Sequence, residues 1–264
     1  MKPNSPLHSF LDLDPLSNKT PVISLVGAGG KTTILFSLAA SMATELSGTV
    51  IICGTTRFTL GTPAPAVWSY ADVLNIGTNS SLPSTIVVSD SIDPEYKGRF
   101  SPLNNQQIAN LARLSEVAAI LVNADGSRMR PFKAPKSEEP ILPNVCTHVI
   151  CLVGADALGL PITAEAVHRP DEIRRILESI GLDSLTQLDA KAISEVLVHT
   201  YGVISDDRDC EFSIIVHKAD YQNAAKAIAN SITETSFFSK RKFPIVLSKK
   251  IGMEIVSDRW EELR

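Results

Sequence analysis

The segment VISLVGAGGKTT (residues 22–33) joins a β-branched apolar run to a glycine-rich turn and then to a helix-like stretch. This order predicts a strand, a turn and a helix that together cradle a phosphate. Glycines permit positive φ, so amide groups can point inward, and the helix brings the positive end of its dipole to the same point. Lys31 would neutralise phosphate charge, and the Thr32 hydroxyl suits Mg²⁺. The predicted nucleotide-binding residues of this turn are Gly27, Ala28, Gly29, Gly30, Lys31, Thr32 and Thr33.

The turn is shorter than the G-x-x-x-x-G-K-[ST] pattern, whose first glycine would fall at Leu25. It matches G-x-x-G-K-T-T and resembles the compact loop of Mur-type ligases. That resemblance implies an alternative function, an ATP-dependent ligase or kinase acting on a small anionic acceptor. A tight strand-to-helix connection without a ligand is the simplest alternative, but it does not require Lys-Thr-Thr at the helix start.

Composition limits the class of protein. The chain has 264 residues, of which 44% are hydrophobic and 20% are charged, which is enough apolar content for one large core. A net charge of -4 gives no reason to expect nucleic-acid or membrane-surface binding. The N-terminal residues lack the features of a signal peptide, so a cytoplasmic location is expected. The four cysteines form no C-x-x-C pair, so we expect them to be reduced and mostly buried. They are Cys53, Cys146, Cys151 and Cys210.

Strand-like and helix-like segments alternate along most of the chain. This alternation predicts an α/β fold, similar to P-loop NTPases, with a mainly parallel twisted sheet and helices on both faces. Ligands of such sheets bind beyond the carboxyl ends of the strands. We expect residues 1–264 to form a single domain, with the strandless segment 156–205 as a helical insert or cap. Segments 59–67 and 75–84 are expected to be long loops.

Two polar residues follow predicted strands and are candidates for catalysis beside Lys31. Asp125 comes shortly after the apolar run 118–122, the place of a Walker-B acid, so Thr32 and Asp125 would hold the Mg²⁺ of a bound GTP or ATP. Arg57 follows the second strand and would stabilise transferring phosphate charge. The alternatives are an Asp that caps the turn before Gly126 and an ordinary surface arginine.

A proline-rich loop beyond Asp125 carries four cations, Arg128, Arg130, Lys133 and Lys136. Such a loop suits an anionic second substrate, although a solvated loop whose charges are neutralised by Glu138 and Glu139 is the alternative. His168 and Arg169 have a similar character, and His168 is either an acid/base or metal-binding group or an ordinary loop histidine. The predicted substrate-binding residues are Arg130, Lys133, His168 and Arg169.

The segment HKAD (residues 217–220) resembles the N-K-x-D element with which GTP-binding proteins recognise guanine. The Asp220 carboxylate can accept two hydrogen bonds from guanine, and the Lys218 stem can pack over the ring. His217 stands where Asn is usual. A plain strand-to-helix turn capped by Asp220 is the alternative.

Six short motifs are spread along the chain: GAGGKTT (27–33), ADGS (124–127), KAP (133–135), VGADALG (153–159), VHRP (167–170) and KAD (218–220). Together they resemble the YqeC family. Members are described as accessory proteins of selenium-dependent molybdenum hydroxylases, so the resemblance implies a role in cofactor maturation with the hydroxylase or its cofactor as partner. The family has Glu where this chain has Asn123, and Asn where it has His217. The sequence therefore predicts a Mg²⁺-dependent, GTP-preferring NTPase in that pathway. The alternatives are the ligase or kinase and a non-enzymatic, nucleotide-switched cofactor chaperone.

Overall fold

The computed structural model describes residues 9–11, 13, 19–59, 65–76, 82–91, 99–208, 210–249 and 253–257. These residues form a nine-stranded sheet and a two-stranded ribbon. The strands are β1 Val22–Gly27, β2 Thr49–Gly54, β3 Phe58–Thr59, β4 Ala66–Ser69, β5 Thr85–Ser89, β6 Arg99–Phe100, β7 Val117–Asn123, β8 His148–Gly154, β9 Glu211–His217, β10 Ile245–Ser248 and β11 Met253–Ser257.

The sheet order is β11-β10-β9-β8-β1-β7-β2-β5-β4, and β3 pairs with β6 in the ribbon. Eight strands run parallel, whereas β11 is antiparallel to β10 at one edge. From β1 the chain continues to β2 on one side, and β7 later inserts between β1 and β2. The next strand, β8, pairs with β1 on its other side. This reversal is a topological switch point, where parallel sheets bind their ligands.

Helices connect most of the strands. They are α1 Lys31–Ala43, α2 Tyr70–Leu74, α3 Asn105–Leu111, α4 Pro170–Ser179, α5 Ala190–Leu197, α6 Val203–Asp206, α7 Gln222–Thr233 and α8 Ser236–Lys240. A 3-10 turn, Ala155–Ala157, follows β8, and a π-helical turn, Val198–Gly202, joins α5 to α6. Among the residues described, no helix has the length and apolarity needed to cross a bilayer.

Alternate residues of the strands supply the two faces of the sheet, as the pleat requires. Ile23 and Leu25 of β1 pack on one face with Ile34 and Leu38 of α1. The neighbouring β1 residues point to the other face, where the apolar residues of α3, α4, α5, α7 and α8 pack. The predicted parallel α/β sheet with helices on both faces is therefore confirmed.

Four strands were not predicted from the sequence: the two-residue strands β3 and β6, and β4 and β11. β4 lies within the segment 59–67 and just after it, at the open edge of the sheet, where its partly exposed residues show no apolar alternation. β11 follows β10 directly and is the antiparallel exception. Residues 60–64 and 77–81 of the two predicted loops lie outside the described residues. The assignment of 156–205 as an insert or cap stays a prediction, although α4 and α5 share a hydrophobic core with the sheet.

Candidate functional site

The glycine-rich turn between β1 and α1 is tightly packed. Gly27, Gly29 and Gly30 have φ values of 84°, 83° and 131°, as the sequence predicted for this turn. A Cβ atom on Gly29 would lie 2.1 Å from the amide nitrogen of Gly154, and one on Gly30 would lie 2.2 Å from Cδ2 of His217. Glycine is therefore required here both by the backbone conformation and by the close approach of β8 and β9.

The amide groups of the turn divide into two sets. Three N–H groups already have acceptors within the protein: that of Gly27 donates to Oδ2 of Asp125 at 3.0 Å, that of Ala28 to the Leu152 carbonyl at 2.9 Å, and that of Gly29 to the Arg130 carbonyl at 3.2 Å. The N–H groups of residues 30–33 have no acceptor in the described part of the chain, and Gly30 provides no side-chain cap for α1. An anion would thus be bound by the first turn of α1 rather than by the whole segment 27–33.

Lys31 lies at this helix start and is buried, with 7% of its surface exposed. Its ammonium group donates to the Gly27 carbonyl and lies 3.0 Å from Oδ1 of Asp125. Burial lowers the pKa of Lys31, and the attraction of Asp125 opposes that shift. The predicted catalytic residues Lys31 and Asp125 are therefore in direct contact.

Asp125 is fully buried and accepts from several donors. Besides the Gly27 amide, its Oδ2 atom lies 3.0 Å from Nζ of Lys133 and accepts a hydrogen bond from the Tyr201 hydroxyl at 3.1 Å. Burial raises the pKa of Tyr201, and the negative charge of Asp125 raises it further, so the phenol stays a donor. This carboxylate thus connects the glycine-rich turn to the proline-rich loop and to the turn after α5.

A second carboxylate extends these contacts. Glu139 lies 2.9 Å from Nζ of Lys133 and accepts two hydrogen bonds from the Arg169 guanidinium, at 2.5 and 2.6 Å. Burial would raise the pKa of Glu139, but the hydrogen bonds from Arg169 and Lys133 outweigh it and lower the pKa to about 2. We call Lys31, Asp125, Lys133, Glu139 and Arg169 the ion network. Its three cations and two carboxylates leave one net positive charge beside the start of α1.

His168 lies next to this network. Burial lowers its pKa to about 4, with further contributions from the charges of Arg169, Lys133 and Arg128. The imidazole is therefore neutral near pH 7. The predicted substrate-binding residues Lys133, His168 and Arg169 are thus brought together with Asp125, and Arg130 is tied to the glycine-rich turn through its carbonyl. Of the four cations of the proline-rich loop, Lys133 is neutralised by Glu139 as the alternative had it, and Glu139 also pairs with Arg169, which lies outside that loop.

Other predicted site residues stand apart from the ion network. Thr32, Thr33 and Arg57 are exposed, as are Lys136 and Asp220. None of the ion pairs found among the described residues involves Arg57 or Lys136.

The segment that resembles a guanine-recognition element lies on the other side of the glycine-rich turn. Lys218 has a φ of 60° and forms an ion pair with Asp156 of the turn after β8. His217 packs against Gly30, and its Nδ1 atom lies 3.2 Å from Oγ of Ser248. Burial lowers the pKa of His217, and the charge of Lys218 adds to this shift. The segment thus adjoins the predicted phosphate site, while the choice of base stays a prediction.

Four buried oxygens at this edge accept no hydrogen bond from the described residues: Oγ1 of Thr56 and the Oδ1 atoms of Asn123, Asp125 and Asp156. The Asp125 oxygen is paired with the Lys31 ammonium, whereas no ion pair among the described residues involves the other three oxygens. Native proteins satisfy nearly all such atoms, and the exceptions often mark a site for water, an ion or a ligand. Asn123 and Gly54 are register partners at the ends of β7 and β2, and the amide of Thr55 donates to the Asn123 carbonyl. Within the described residues, no group of three or more His, Cys, Asp or Glu side chains could hold a metal ion.

Sequence reasoning missed some of these residues and placed others only in part. Glu139 was considered as a neutralising charge but not as a partly buried partner of two cations. Nothing in the sequence linked Tyr201, in the predicted cap segment, to Asp125, which is 76 residues away. Asn123 was considered only as the position where the family has Glu, and Thr56 only as a further metal ligand after the second strand. The meeting of parallel strands at one edge is the signal that could have placed the two residues together.

Comparisons with known proteins agree with the resemblance seen in the motifs. The model of the YqeC protein family matches residues 23–171, which include the glycine-rich turn and the ion network but not Tyr201 or Lys218. An uncharacterized protein, YqeC of Escherichia coli (strain K12), is 36% identical over 163 residues, which cover 61% of this chain and 62% of the E. coli protein. No solved structure matches significantly. Because the family model spans more than half of the sequence, this chain belongs to the YqeC family.

Proposed function

We propose that this protein binds a nucleoside triphosphate with Mg²⁺ at the start of α1 and transfers its terminal phosphoryl group, to water in the simplest case. One observation carries the proposal: the N–H groups of residues 30–33 lack acceptors in the described chain, right beside the buried ammonium of Lys31. Amides and a lysine at a helix start form an anion site. The net positive charge of the ion network adds to the attraction.

The residues also suit Mg²⁺ in a specific way. Both Asp125 oxygens contact cations or hydrogen-bond donors, so the carboxylate would act on Mg²⁺ through water. Mg²⁺ keeps several of its waters and uses hard oxygen ligands, which the nucleotide phosphates and the exposed Thr32 hydroxyl would supply. When bound, Mg²⁺ would neutralise phosphate charge, while Asp125 holds Lys31 in place.

We assign the preference for GTP to Lys218 and Asp220, which follow β9 on the same edge. The contact of His217 with Gly30 supports this assignment, because it couples the segment 217–220 to the phosphate site. The role in maturation of selenium-dependent molybdenum hydroxylases, with the hydroxylase or its cofactor as partner, rests on the family alone.

Titration calorimetry with GTP, ATP and their diphosphates, with and without Mg²⁺, tests the proposal. Lys31→Met removes a charged hydrogen bond to phosphate, worth about 1.5–3 kcal/mol, so affinity should fall by about 10–100-fold. Thr32→Ala should remove much of the Mg²⁺ dependence. Lys226→Met, an exposed lysine on α7, is the control and should bind like the wild type. Unchanged affinity in a folded Lys31→Met variant, or no heat with any nucleotide, would refute the proposal.

A ligase or kinase is the second candidate, favoured by the cations of the proline-rich loop. Arg128 is exposed and Arg130 partly exposed, and neither forms an ion pair among the described residues, so an anionic acceptor could approach them. This function predicts that labelled nucleotide is consumed only when an acceptor is present, with the terminal phosphate transferred to the acceptor by a kinase or released by a ligase as the new bond forms. Acceptor-independent hydrolysis at the same rate would exclude it.

A further inference from the structure

Two neighbouring thiols lie at the amino-terminal ends of β8 and β9, at the end of the sheet opposite the nucleotide site. Cys146 precedes β8 and Cys210 precedes β9, and the Sγ atom of Cys210 donates to the Cys146 carbonyl at 3.4 Å. The Glu211 amide donates to the Thr147 carbonyl at 2.9 Å, so the two segments run side by side. Neighbouring strands lie about 4.8 Å apart. Both cysteines lie just before their strands and pack against the same hydrophobic core, so their side chains are on one side of the sheet. Disulfides span about 4.4–6.8 Å between Cα atoms, so these two thiols can be joined.

The two thiols differ in reactivity. Cys146 is partly exposed, whereas Cys210 is buried. Hydrogen bonding to the Cys210 thiol lowers the pKa of Cys146, burial opposes this shift, and hydrogen bonds with Ser24 support it. Contact with Cys146 and burial both raise the pKa of Cys210. A partly exposed thiol of lowered pKa beside a protonated one is the arrangement of an attacking and a resolving cysteine.

The remaining cysteines lack this character. Cys53 and Cys151 are fully buried in the sheet. Burial raises the pKa of Cys53 to about 12, and it raises that of Cys151 well above its usual value. Both behave as small apolar residues of the core, so any thiol chemistry of this chain belongs to Cys146 and Cys210.

Cys146 also lines a cavity of about 730 Å³ between the C-terminal end of α3 and the segment before β8. Arg113 is among its lining residues, Lys19 also lines it but has an interaction of its own, and no carboxylate is among the lining residues. The cavity is large enough for a small molecule, and its charge favours an anionic one. A peptide disulfide that carries carboxylates has both properties.

We propose that Cys146 and Cys210 form a redox-active dithiol that exchanges with an anionic low-molecular-weight disulfide bound in this cavity. The Cys146 thiolate attacks one sulfur of the disulfide RS–SR, forming a mixed disulfide and releasing RS⁻. Cys210 then loses its proton to water, and its sulfur attacks Sγ of Cys146, releasing the second RS⁻. The protein is oxidised by two electrons, and the small disulfide is reduced to two thiols. The proposal is independent of the nucleotide site.

Oxidised glutathione is the probe. The reduced protein is incubated with it, and thiols are then counted after unfolding and mapped by mass spectrometry. We expect the wild type to lose two of its four thiols and to yield a peptide pair joined through Cys146 and Cys210. Cys53→Ser, the matched control, should also lose two. Cys210→Ser should instead hold a stable glutathione adduct on Cys146, and Cys146→Ser should lose none.

The wild-type map decides the proposal even if a variant folds poorly. Loss of no thiols, or a disulfide that joins a different pair, would overturn it. A neutral probe, hydroxyethyl disulfide, should react at least about 10-fold more slowly than oxidised glutathione, because the cavity cations would not attract it. Equal rates would overturn the preference for an anionic disulfide.

Discussion

Replacing Lys133 by Met should destabilise the protein strongly. The Lys133 side chain is fully buried, and its ammonium group lies 3.0 Å from Asp125 and 2.9 Å from Glu139 while donating to the Gly126 carbonyl at 2.9 Å. Methionine keeps most of the volume, so the cost arises mainly from two carboxylates that each lose a partner. Breaking a buried ion pair by removing one partner costs about 3–5 kcal/mol. At about 2–4 °C for each kcal/mol, the melting temperature should fall by about 6–20 °C.

The measurement is urea unfolding at pH 7 with Lys133→Met and Lys136→Met in parallel. Lys136 is exposed on the same proline-rich loop, so its substitution should change the free energy of unfolding by less than about 0.5 kcal/mol. The slope m should stay constant if both variants unfold in one step. A Lys133→Met variant as stable as Lys136→Met would refute the description of the ion network as a buried structural unit.

A double-mutant cycle makes the test specific to the pair. Glu139→Gln alone leaves Lys133 and Arg169 without their shared carboxylate, and it should also destabilise the protein. In the double variant the two losses overlap, because the contact between Lys133 and Glu139 is removed only once. The coupling free energy should be at least about 1 kcal/mol, whereas residues that do not interact would show additive effects.

Three further predictions concern the surroundings of the ion network. Tyr201→Phe removes the hydroxyl that donates to Asp125, so urea unfolding should show a loss of about 1.5–3 kcal/mol, and no loss would mean that the bond contributes nothing. The pKa of His168 is about 4 in the folded protein against an ordinary 6.5. As the pH falls from 6.5 to 4, the unfolded state takes up the proton before the folded state does, so the free energy of unfolding decreases over this range. Because the ring is partly exposed, that loss should be about 1 kcal/mol, and His168→Asn should abolish it in unfolding curves at pH 6.5 and 4. Asn123→Leu removes an oxygen that accepts no hydrogen bond from the described residues, so stability should be unchanged or rise by about 1 kcal/mol while calorimetry shows weaker Mg²⁺-nucleotide binding. A large loss of stability in that variant would show that the oxygen has a partner.

The sequence predicted the sheet better than the site, for identifiable reasons. The apolar runs of β1, β7, β8 and β9 are buried on both faces, so they stand out in the sequence without any knowledge of tertiary structure. The glycines of the turn were predictable because positive φ favours glycine. The hydrogen-bond acceptors of the amides in this turn could not be predicted, because the amides of Ala28 and Gly29 donate to carbonyls more than 100 residues along the chain. Pairings at such distances depend on the register of neighbouring strands, which local patterns do not contain.

The free protein carries two kinds of cost at the same edge of the sheet, and together they argue for a ligand there. Lys31, Asp125 and Lys133 of the ion network hold charges away from water. The buried oxygens of Thr56 and Asn123 accept no hydrogen bond from the described residues. Each unsatisfied buried oxygen costs about 1–3 kcal/mol in free energy of folding. An apolar residue of similar shape at the same position would not carry this cost. The amides of residues 30–33 offer donors to an anion, and a hydrated cation beside that anion offers donors to the two oxygens. A ligand that combines an anion with a hydrated Mg²⁺ ion would therefore satisfy both sets of groups at once, whereas a bare anion would satisfy only one.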